Sequence, residues 1–289
     1  LMLTDDAWDD AADAEDPAVV YNSIENEYLV VWTDDELGVT DNEFEVFGQR
    51  IDAATGNLVG TNQFRISDMG PDYDYQYDAR QPAVAFNSTD NEYLVVWYGN
   101  ETHNTYGEPD QEIYCQRLDG ATGAEIGVND FPISEMDVDA DDRRSGIQPT
   151  VVYNSNDNEY LVAWAGDDES LANDEYEIFV QRVSATGAEV GYDDFRISGM
   201  GPNGDRDYDA YSPSVTHNTF NNHYAVVWYG NHDLPGLHED EEEIYMQRLS
   251  NLLLPIGTDD QRISTTGTDG DSLMKAERPN IIYNPDDHE

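Results

Sequence analysis

The sequence has 289 residues, 38% of them hydrophobic, and its 62 acidic against 13 basic side chains give a formal net charge of −49. Its apolar content is enough to bury a core, which excludes a disordered acidic tail. The charge excludes nucleic acid as a partner, because that binding depends on Lys and Arg at phosphates. Membrane insertion is excluded because no run approaches ~18 apolar residues.

The chain opens with sixteen mostly small and acidic residues that lack the basic start of a signal peptide, so any targeting segment lies outside them. After them a unit of roughly 66 residues recurs. We divide the chain into a partial unit at residues 1–16, complete units at 17–81, 82–148, 149–212 and 213–278, and a partial unit at 279–289.

Each complete unit contains four short apolar runs, which we name a to d in chain order. In the first unit they cover residues 17–22, 27–32, 45–50 and 64–67. They are rich in Val, Ile, Tyr, Phe and Trp and are bounded by Asn, Asp, Gly or Pro, which is typical of strands. No stretch shows a sustained helical period, so we expect almost no helix. The turn between c and d contains Thr-Gly in three units, whereas the fourth has Leu-Leu-Leu-Pro and is the odd unit.

Four-stranded units in tandem predict an all-β fold, a β-propeller of antiparallel blades forming one domain. The near-continuous apolar b runs agree with this, because a blade is buried on both faces. The chain begins inside a strand d and stops after a strand a, so we expect it to be an excerpt of a longer protein. A five-bladed ring is favoured; a four-bladed ring with overhanging ends and a longer array are the alternatives.

The segment between d and the next a has constant length, and its central residue is aspartate in every copy. Neighbouring positions are mostly aspartate or asparagine, although Ser145 and Lys275 replace the third one in two copies. The pattern selects these candidate metal ligands: Asp72, Asp74 and Asp78; Asp139 and Asp141; Asn203, Asp205 and Asp209; Asp269 and Asp271.

Calcium takes 6–8 oxygen ligands, and alternate residues of a turning loop can direct carboxylates to one centre. We therefore predict Ca²⁺ as the cofactor, with the weakest binding in the loop that has Lys275. In the alternative interpretation, the central aspartate accepts backbone N–H groups in a turn.

With these loops, the chain resembles the aspartate-rich propeller repeats of secreted or surface bacterial proteins, and more loosely the calcium-loop repeats of integrin-like propellers. The integrin-type pattern Asp-x-Asp-Gly-x-Gly-x-x-Asp is not complete in any copy. The resemblance implies the propeller fold and a calcium role for the matching aspartates, and no ligand-binding surface.

Alternating strand directions place the b–c and d–a loops on one acidic face, where a partner is expected to bind. His232 and His238 lie near several glutamates there, so a transition-metal site is conceivable. The Glu and Arg at the two ends of each c strand are expected to be structural partners between blades. The repeated Trp residues could stack on sugars, but strand ends favour a core role.

No acid, His or nucleophile departs from the repeat as a propeller enzyme would require, and Cys115 occupies an apolar strand position. The main functional hypothesis is therefore a non-enzymatic, calcium-stabilised scaffold or adhesion module that is extracellular or at the cell surface and binds a protein or glycan through its acidic b–c loops. The alternatives are a structural repeat of a filament or surface layer, which self-associates through its open ends, and a carbohydrate-active enzyme. The high acidity also fits a halophilic or marine habitat.

Overall fold

The computed structural model of the protein describes residues 14–35, 43–71, 77–100, 111–136, 144–168, 170–172, 174–271 and 273–288. These residues contain no α-helix. Accordingly, no helix in this part of the chain is long and apolar enough to cross a membrane.

Sixteen strands form four antiparallel sheets, each with its four strands in sequence order. We call the sheets blades 1 to 4. Their strands are β1 (Ala14–Asn22), β2 (Glu27–Asp34), β3 (Glu45–Asp52) and β4 (Leu58–Arg65); β5 (Ala79–Asn87), β6 (Glu92–Gly99), β7 (Glu112–Asp119) and β8 (Glu125–Pro132); β9 (Ser145–Asn154), β10 (Glu159–Asp167), β11 (Glu177–Ser184) and β12 (Glu189–Arg196); β13 (Ala210–Asn218), β14 (His223–Gly230), β15 (Glu243–Ser250) and β16 (Pro255–Arg262).

The prediction of an all-β propeller with four-stranded antiparallel blades is confirmed, and the four described blades agree with the four-bladed alternative. The c–d turn of the fourth unit, which has Leu-Leu-Leu-Pro instead of Thr-Gly, also forms a turn between its strands. Leu253 adopts a positive φ of 63° where the other blades use Gly56, Gly123 and Gly187.

The first strand of each blade begins earlier than the sequence predicts. In blade 1 it starts at Ala14 rather than at Pro17, and the pairing with β2 skips between Glu15 and Ala18. Asp16 within this gap has a φ of 49°. Such a bulge leaves residues unpaired, which lets a strand continue through a proline that has no N–H to donate.

The core lies between consecutive blades. One cluster joins Leu29 and Val31 of blade 1 to Val95 and Trp97 of blade 2, and equivalent clusters join blades 2 to 3 and 3 to 4. Trp97 and its counterparts in blades 3 and 4 are fully buried, which confirms that the repeated tryptophans belong to the core. Burying a side chain of this size stabilises the fold by roughly 1.5–3 kcal/mol.

Polar side chains also join the blades. The Asn154 amide donates to Asn222 Oδ1 at 3.0 Å, and the same contact recurs between the other blade pairs. At the opposite end of the strands, Asp194 Oδ2 of blade 3 accepts the Glu135 N–H of the preceding blade at 2.9 Å. The blades are thus connected at both ends.

Candidate functional site on the loop face

The b–c and d–a loops leave the blades at the same end, as the strand directions predict. In blade 3 the end of β10 at Asp167 pairs with Ser145, where β9 begins, and Gly166 pairs with Glu177, where β11 begins. We call this end the loop face. Most of the b–c loops of blades 1 and 2 lies outside the described residues.

The third strand of every blade begins with a glutamate, and this glutamate accepts hydrogen bonds from the d–a loop that follows the fourth strand. Glu177 accepts a hydrogen bond from the Ser198 hydroxyl and another from the Met200 N–H at 2.8 Å. Burial raises the pKa of Glu177 to about 7. The prediction that these Glu and Arg residues join neighbouring blades holds in part. Arg182, at the other end of the strand, pairs with Glu159 of its own blade at 2.7 Å, but the equivalent Arg117 also donates to the Thr186 carbonyl oxygen of the next blade at 3.3 Å.

A cavity of about 360 Å³ lies where the first strands of all the blades meet. We call it the axial cavity. Its lining includes the residue that precedes the repeated proline in each of five units, and all five have a positive φ: Asp16, Gln81, Gln148, Ser212 and Arg278. Arg278 is the last residue before the partial unit at 279–289, so the segments that lead into all five repeated prolines contribute to this cavity.

The position two residues before the repeated proline differs in charge and size among the units. It is occupied by Glu15, Arg80, Ile147, Tyr211 and Glu277. Arg80 Nε lies 3.1 Å from Asp78 Oδ2, and its guanidinium stacks 3.7 Å from the Phe44 ring centroid. Glu15 Oε2 lies 3.9 Å from the same guanidinium. The sequence analysis overlooked this asymmetry, which an alignment of the two residues before each repeated proline would have revealed.

A second cavity, of about 290 Å³, opens on the loop face of blade 4. We call it the blade-4 pocket. Tyr211 and Tyr229 line it with their ring centroids 6.0 Å apart, and Tyr211 directly precedes Ser212 of the axial cavity. The charged part of the lining consists of five acidic and two basic residues: Asp207, Asp209, Glu239, Asp240, Glu242, Arg206 and Lys275.

Asp209 is the half-buried carboxyl of this pocket. Its Oδ1 accepts the Tyr176 N–H at 2.8 Å, and its own N–H donates to Asn231 Oδ1 at 2.9 Å. Burial raises the pKa of Asp209 to about 6, which outweighs the hydrogen bonds from Tyr176 and Tyr211 that act to lower it. A fraction of Asp209 therefore holds a proton in mildly acidic solution.

The third residues of two predicted calcium loops bond to backbone groups of the preceding blade. Asp78 Oδ1 accepts the Phe44 N–H at 3.1 Å, as Asp209 accepts that of Tyr176. Asp205 accepts the Asp207 N–H at 3.3 Å. These are backbone contacts of the kind that the alternative interpretation assigns to the loop aspartates.

The remaining predicted ligands are dispersed or lie outside the described residues. Asn203 bonds to Arg196 at 3.2 Å, Asp269 bonds to Arg262 at 3.0 Å and Asp271 accepts the Leu273 N–H at 3.1 Å. Asp72, Asp74, Asp139 and Asp141 lie outside the described residues. Calcium binding stays a prediction.

The two histidines of the fourth b–c loop do not form one site. His232 bonds to Asp233 at 3.0 Å, whereas His238 lies with Glu239 and Asp240 in an exposed group whose ligand atoms are within 4.8 Å of one another. This is the only such group of three or more His, Cys, Asp or Glu in the part of the chain that the structure describes. The Asp240 N–H donates to His238 Nδ1, so the group is explained by a local turn.

No family model and no curated protein sequence matches the chain. Among solved structures, it is similar to a Hadza microbial sialidase (TM-score 0.55, 10% identity, 86% of this chain and 47% of that one). It is also similar to an exo-β-1,3-galactanase from Phanerochaete chrysosporium (TM-score 0.51, 11% identity, 88% and 51%). An endo-1,5-α-L-arabinanase from Thermotoga petrophila has a TM-score of 0.48 at 14% identity, with 82% and 57% covered. The chain spans about half the length of the first two.

These similarities support the β-propeller fold and correct the main functional interpretation. The non-enzymatic adhesion scaffold is wrong as the leading hypothesis, because the similar propellers are enzymes that act on glycans. The carbohydrate-active alternative agrees better with them. The aspartate-rich calcium-loop repeats named in the sequence analysis find no support among them.

Proposed function

We propose that the protein is a carbohydrate-active enzyme that hydrolyses glycosidic bonds in the blade-4 pocket. The observation that carries the proposal is a single cavity in which Asp209, with its pKa raised to about 6, lies with the exposed carboxylates Glu239 and Asp240. Glycoside hydrolysis requires such a pair, one carboxyl protonated and the other ionised.

In this assignment Asp209 is the general acid and gives its proton to the glycosidic oxygen as the bond to the anomeric carbon breaks. A carboxylate of the b–c loop, Glu239 or Asp240, takes a proton from the water that attacks that carbon. The rings of Tyr211 and Tyr229 offer an apolar surface for a sugar ring, and the cavity of about 290 Å³ admits a small number of sugar units.

The test is release of reducing ends from a panel of soluble polysaccharides and oligosaccharides, followed by variants on any substrate that is cleaved. Asp209→Asn is expected to lower kcat at least about a hundredfold, because general acid catalysis contributes roughly 10²–10⁴-fold. Glu239→Gln and Asp240→Asn identify the partner carboxylate. Asp259→Asn, an exposed acid outside the pocket, is the matched control.

The pH profile gives a second readout. Because the general acid must be protonated, activity should fall as the pH rises through about 6, and this limb should disappear in Asp209→Asn. Absence of turnover on the whole panel, or full activity of Asp209→Asn, would overturn the proposal.

A further inference from the structure

We infer that the contact between blades 2 and 3 is a pH-sensitive joint of the fold, tight in mildly acidic solution and looser once its carboxyl groups have lost their protons. The inference does not depend on the proposed function. We call the contacts between consecutive described blades the first junction (blades 1 and 2), the second junction (blades 2 and 3) and the third junction (blades 3 and 4).

The three junctions share one hydrogen bond, in which an aspartate near the end of the fourth strand reaches the preceding blade. Each aspartate has a positive φ and accepts a backbone N–H through its Oδ2. The pairs are Asp130 with Asp68 at 2.6 Å, Asp194 with Glu135 at 2.9 Å and Asp260 with Gly199 at 3.0 Å. Because this bond is common to all three junctions, the charges around it can be compared directly.

The residue that ends the fourth strand of the preceding blade distinguishes the second junction. It is Arg65 in the first junction and Arg196 in the third, but Pro132 in the second. Burial raises the pKa of Asp260 to about 6, and the positive charge of Arg196 opposes this rise. Across the first junction, Arg65 likewise opposes the rise that desolvation causes in the pKa of Glu125. The second junction has no arginine at this position.

A cavity of about 330 Å³ lies at the second junction and is lined by both blades. Within the described part of the chain its lining has no Lys, Arg or His, and four of its residues are acids: Glu112, Glu135, Glu189 and Asp193. Asp193 adds a carboxyl group where the equivalent residue of blade 2 is Asn129. The second junction therefore has an additional acid and lacks the arginine.

The carboxyl groups of blade 3 at this junction lie close together. Burial raises the pKa of Asp194 to about 7, and the negative charges of Asp193, Glu112 and Glu189 act in the same direction. Desolvation, the charge of Asp193 and a hydrogen bond with it raise the pKa of Glu189. Asp194 Oδ1 is buried and accepts no hydrogen bond from the described residues, so ionisation would leave a charge there without a donor.

Two further titratable groups face this cluster from blade 2. Tyr114 lines the cavity, and burial together with the charge of Glu189 raises the pKa of Cys115 well above its usual value. Neither side chain can supply a positive charge, so protons on the acids do what arginine does at the other junctions.

The direction of the pH dependence follows from Asp194. Its pKa rises from the usual 3.8 to about 7 on folding, so the folded protein holds a proton that the unfolded chain has released. The stability contributed by this proton is complete below about pH 4 and is lost as the pH rises through about 7.

The test is amide hydrogen exchange, followed by NMR at about pH 5 and pH 8 and expressed as protection factors so that the intrinsic pH dependence of exchange cancels. Between these pH values the Glu135 N–H should lose roughly tenfold more protection than the Gly199 N–H of the third junction. The reason is that the pKa of Asp194 is about 7 and that of Asp260 about 6, and a difference of one in pKa corresponds to tenfold in an equilibrium. Gly199 also reports any change in global stability and is the internal control.

Pro132→Arg gives the second junction the residue of the other two and should remove most of this difference, whereas Pro132→Ala adds no charge and should keep it. Asp194→Asn keeps an acceptor oxygen and cannot ionise, so it should also reduce the difference and provides the test if the arginine variant does not fold. Equal losses of protection at Glu135 and Gly199 in the unsubstituted protein would overturn the inference. So would a difference that persists undiminished in Asp194→Asn.

Discussion

At the scale of single residues, burial sets the protonation of many carboxyl groups in this protein. Burial raises the pKa of Asp167 and Asp194 to about 7 and that of Asp260 to about 6, as it does for Glu177. Each of these groups accepts backbone or hydroxyl hydrogen bonds, which act to lower the pKa but do not offset the loss of water. The acidic composition alone does not reveal which carboxyls are buried in this way.

The raised pKa values make folding stability depend on pH. Between about 4.5 and 7 the folded protein holds a proton on Glu177 that the unfolded chain has released, so stability falls as the pH rises through this range. The proton on Glu177 changes the free energy of unfolding by up to about 3 kcal/mol. Urea unfolding at constant ionic strength should show greater stability at pH 5 than at pH 8.

Glu177→Gln provides the control for this pH dependence, because the amide keeps the shape of the side chain and cannot ionise. The stability difference between pH 5 and pH 8 should become smaller in this variant. An unchanged difference would show that Glu177 is ionised in the folded protein at both pH values.

The calcium prediction also belongs to single residues. Thermal unfolding in millimolar CaCl₂ should occur at higher temperature than in EDTA, since binding at a hundredfold over Kd stabilises by roughly 2.7 kcal/mol per site. Asp205→Ala should reduce the increase, and MgCl₂ at matched ionic strength is the control. If calcium adds nothing beyond the effect of NaCl, the loop aspartates are turn residues only.

At the scale of the strands, equivalent positions differ in burial according to the blade that covers them. Tyr160 of β10 is fully buried against blade 2, and Tyr93 and Tyr224 are buried in the same way. The equivalent Tyr28 of β2 is 40% exposed, because no described blade packs on that side of blade 1. The repeat predicts four equal strands, but packing makes them unequal.

Because Tyr160 is buried and Tyr28 is exposed, replacing each of them by alanine should lower the free energy of unfolding by different amounts. Tyr160→Ala removes a buried ring and should lower the free energy of unfolding by about 3 kcal/mol or more. Tyr28→Ala should cost about 1 kcal/mol or less, as surface substitutions do. Urea unfolding of both variants measures this directly, and equal losses would mean that Tyr28 is covered in solution.

At the scale of the whole molecule, the net charge of −49 acts on four blades that pack one against the next. Self-repulsion in the folded state is larger than in an expanded chain, and salt screens it. Placement outside the cell, a saline habitat and self-association through the open ends all stay predictions.

Salt should therefore stabilise the protein. The thermal midpoint is expected to rise steadily between about 0.05 and 1 M NaCl, and potassium chloride should act alike because the effect is screening. Sucrose of equal osmolality is the control for general exclusion from the surface. A midpoint that does not change with salt would mean that the charges are spaced widely enough to avoid repulsion.

The sequence by itself determined the fold class, because the short apolar runs and their tandem repetition can be recognised without knowing which residues are in contact. It also identified the loop face, since antiparallel strands bring the b–c and d–a loops to one end. It could not show that strand a begins at Ala14 rather than Pro17, because a bulge depends on the pairing with a neighbouring strand.

Only the tertiary structure decided which carboxyls share a cavity. Asp209 and Glu239 are 30 residues apart in the chain and meet in the blade-4 pocket because the d–a loop that leads into blade 4 and the b–c loop of blade 4 converge there. In the same way, the axial cavity joins residues of five units whose sequence separation hides their proximity. Burial and proximity arise from packing between distant segments, so chemistry that depends on them cannot be read from local patterns alone.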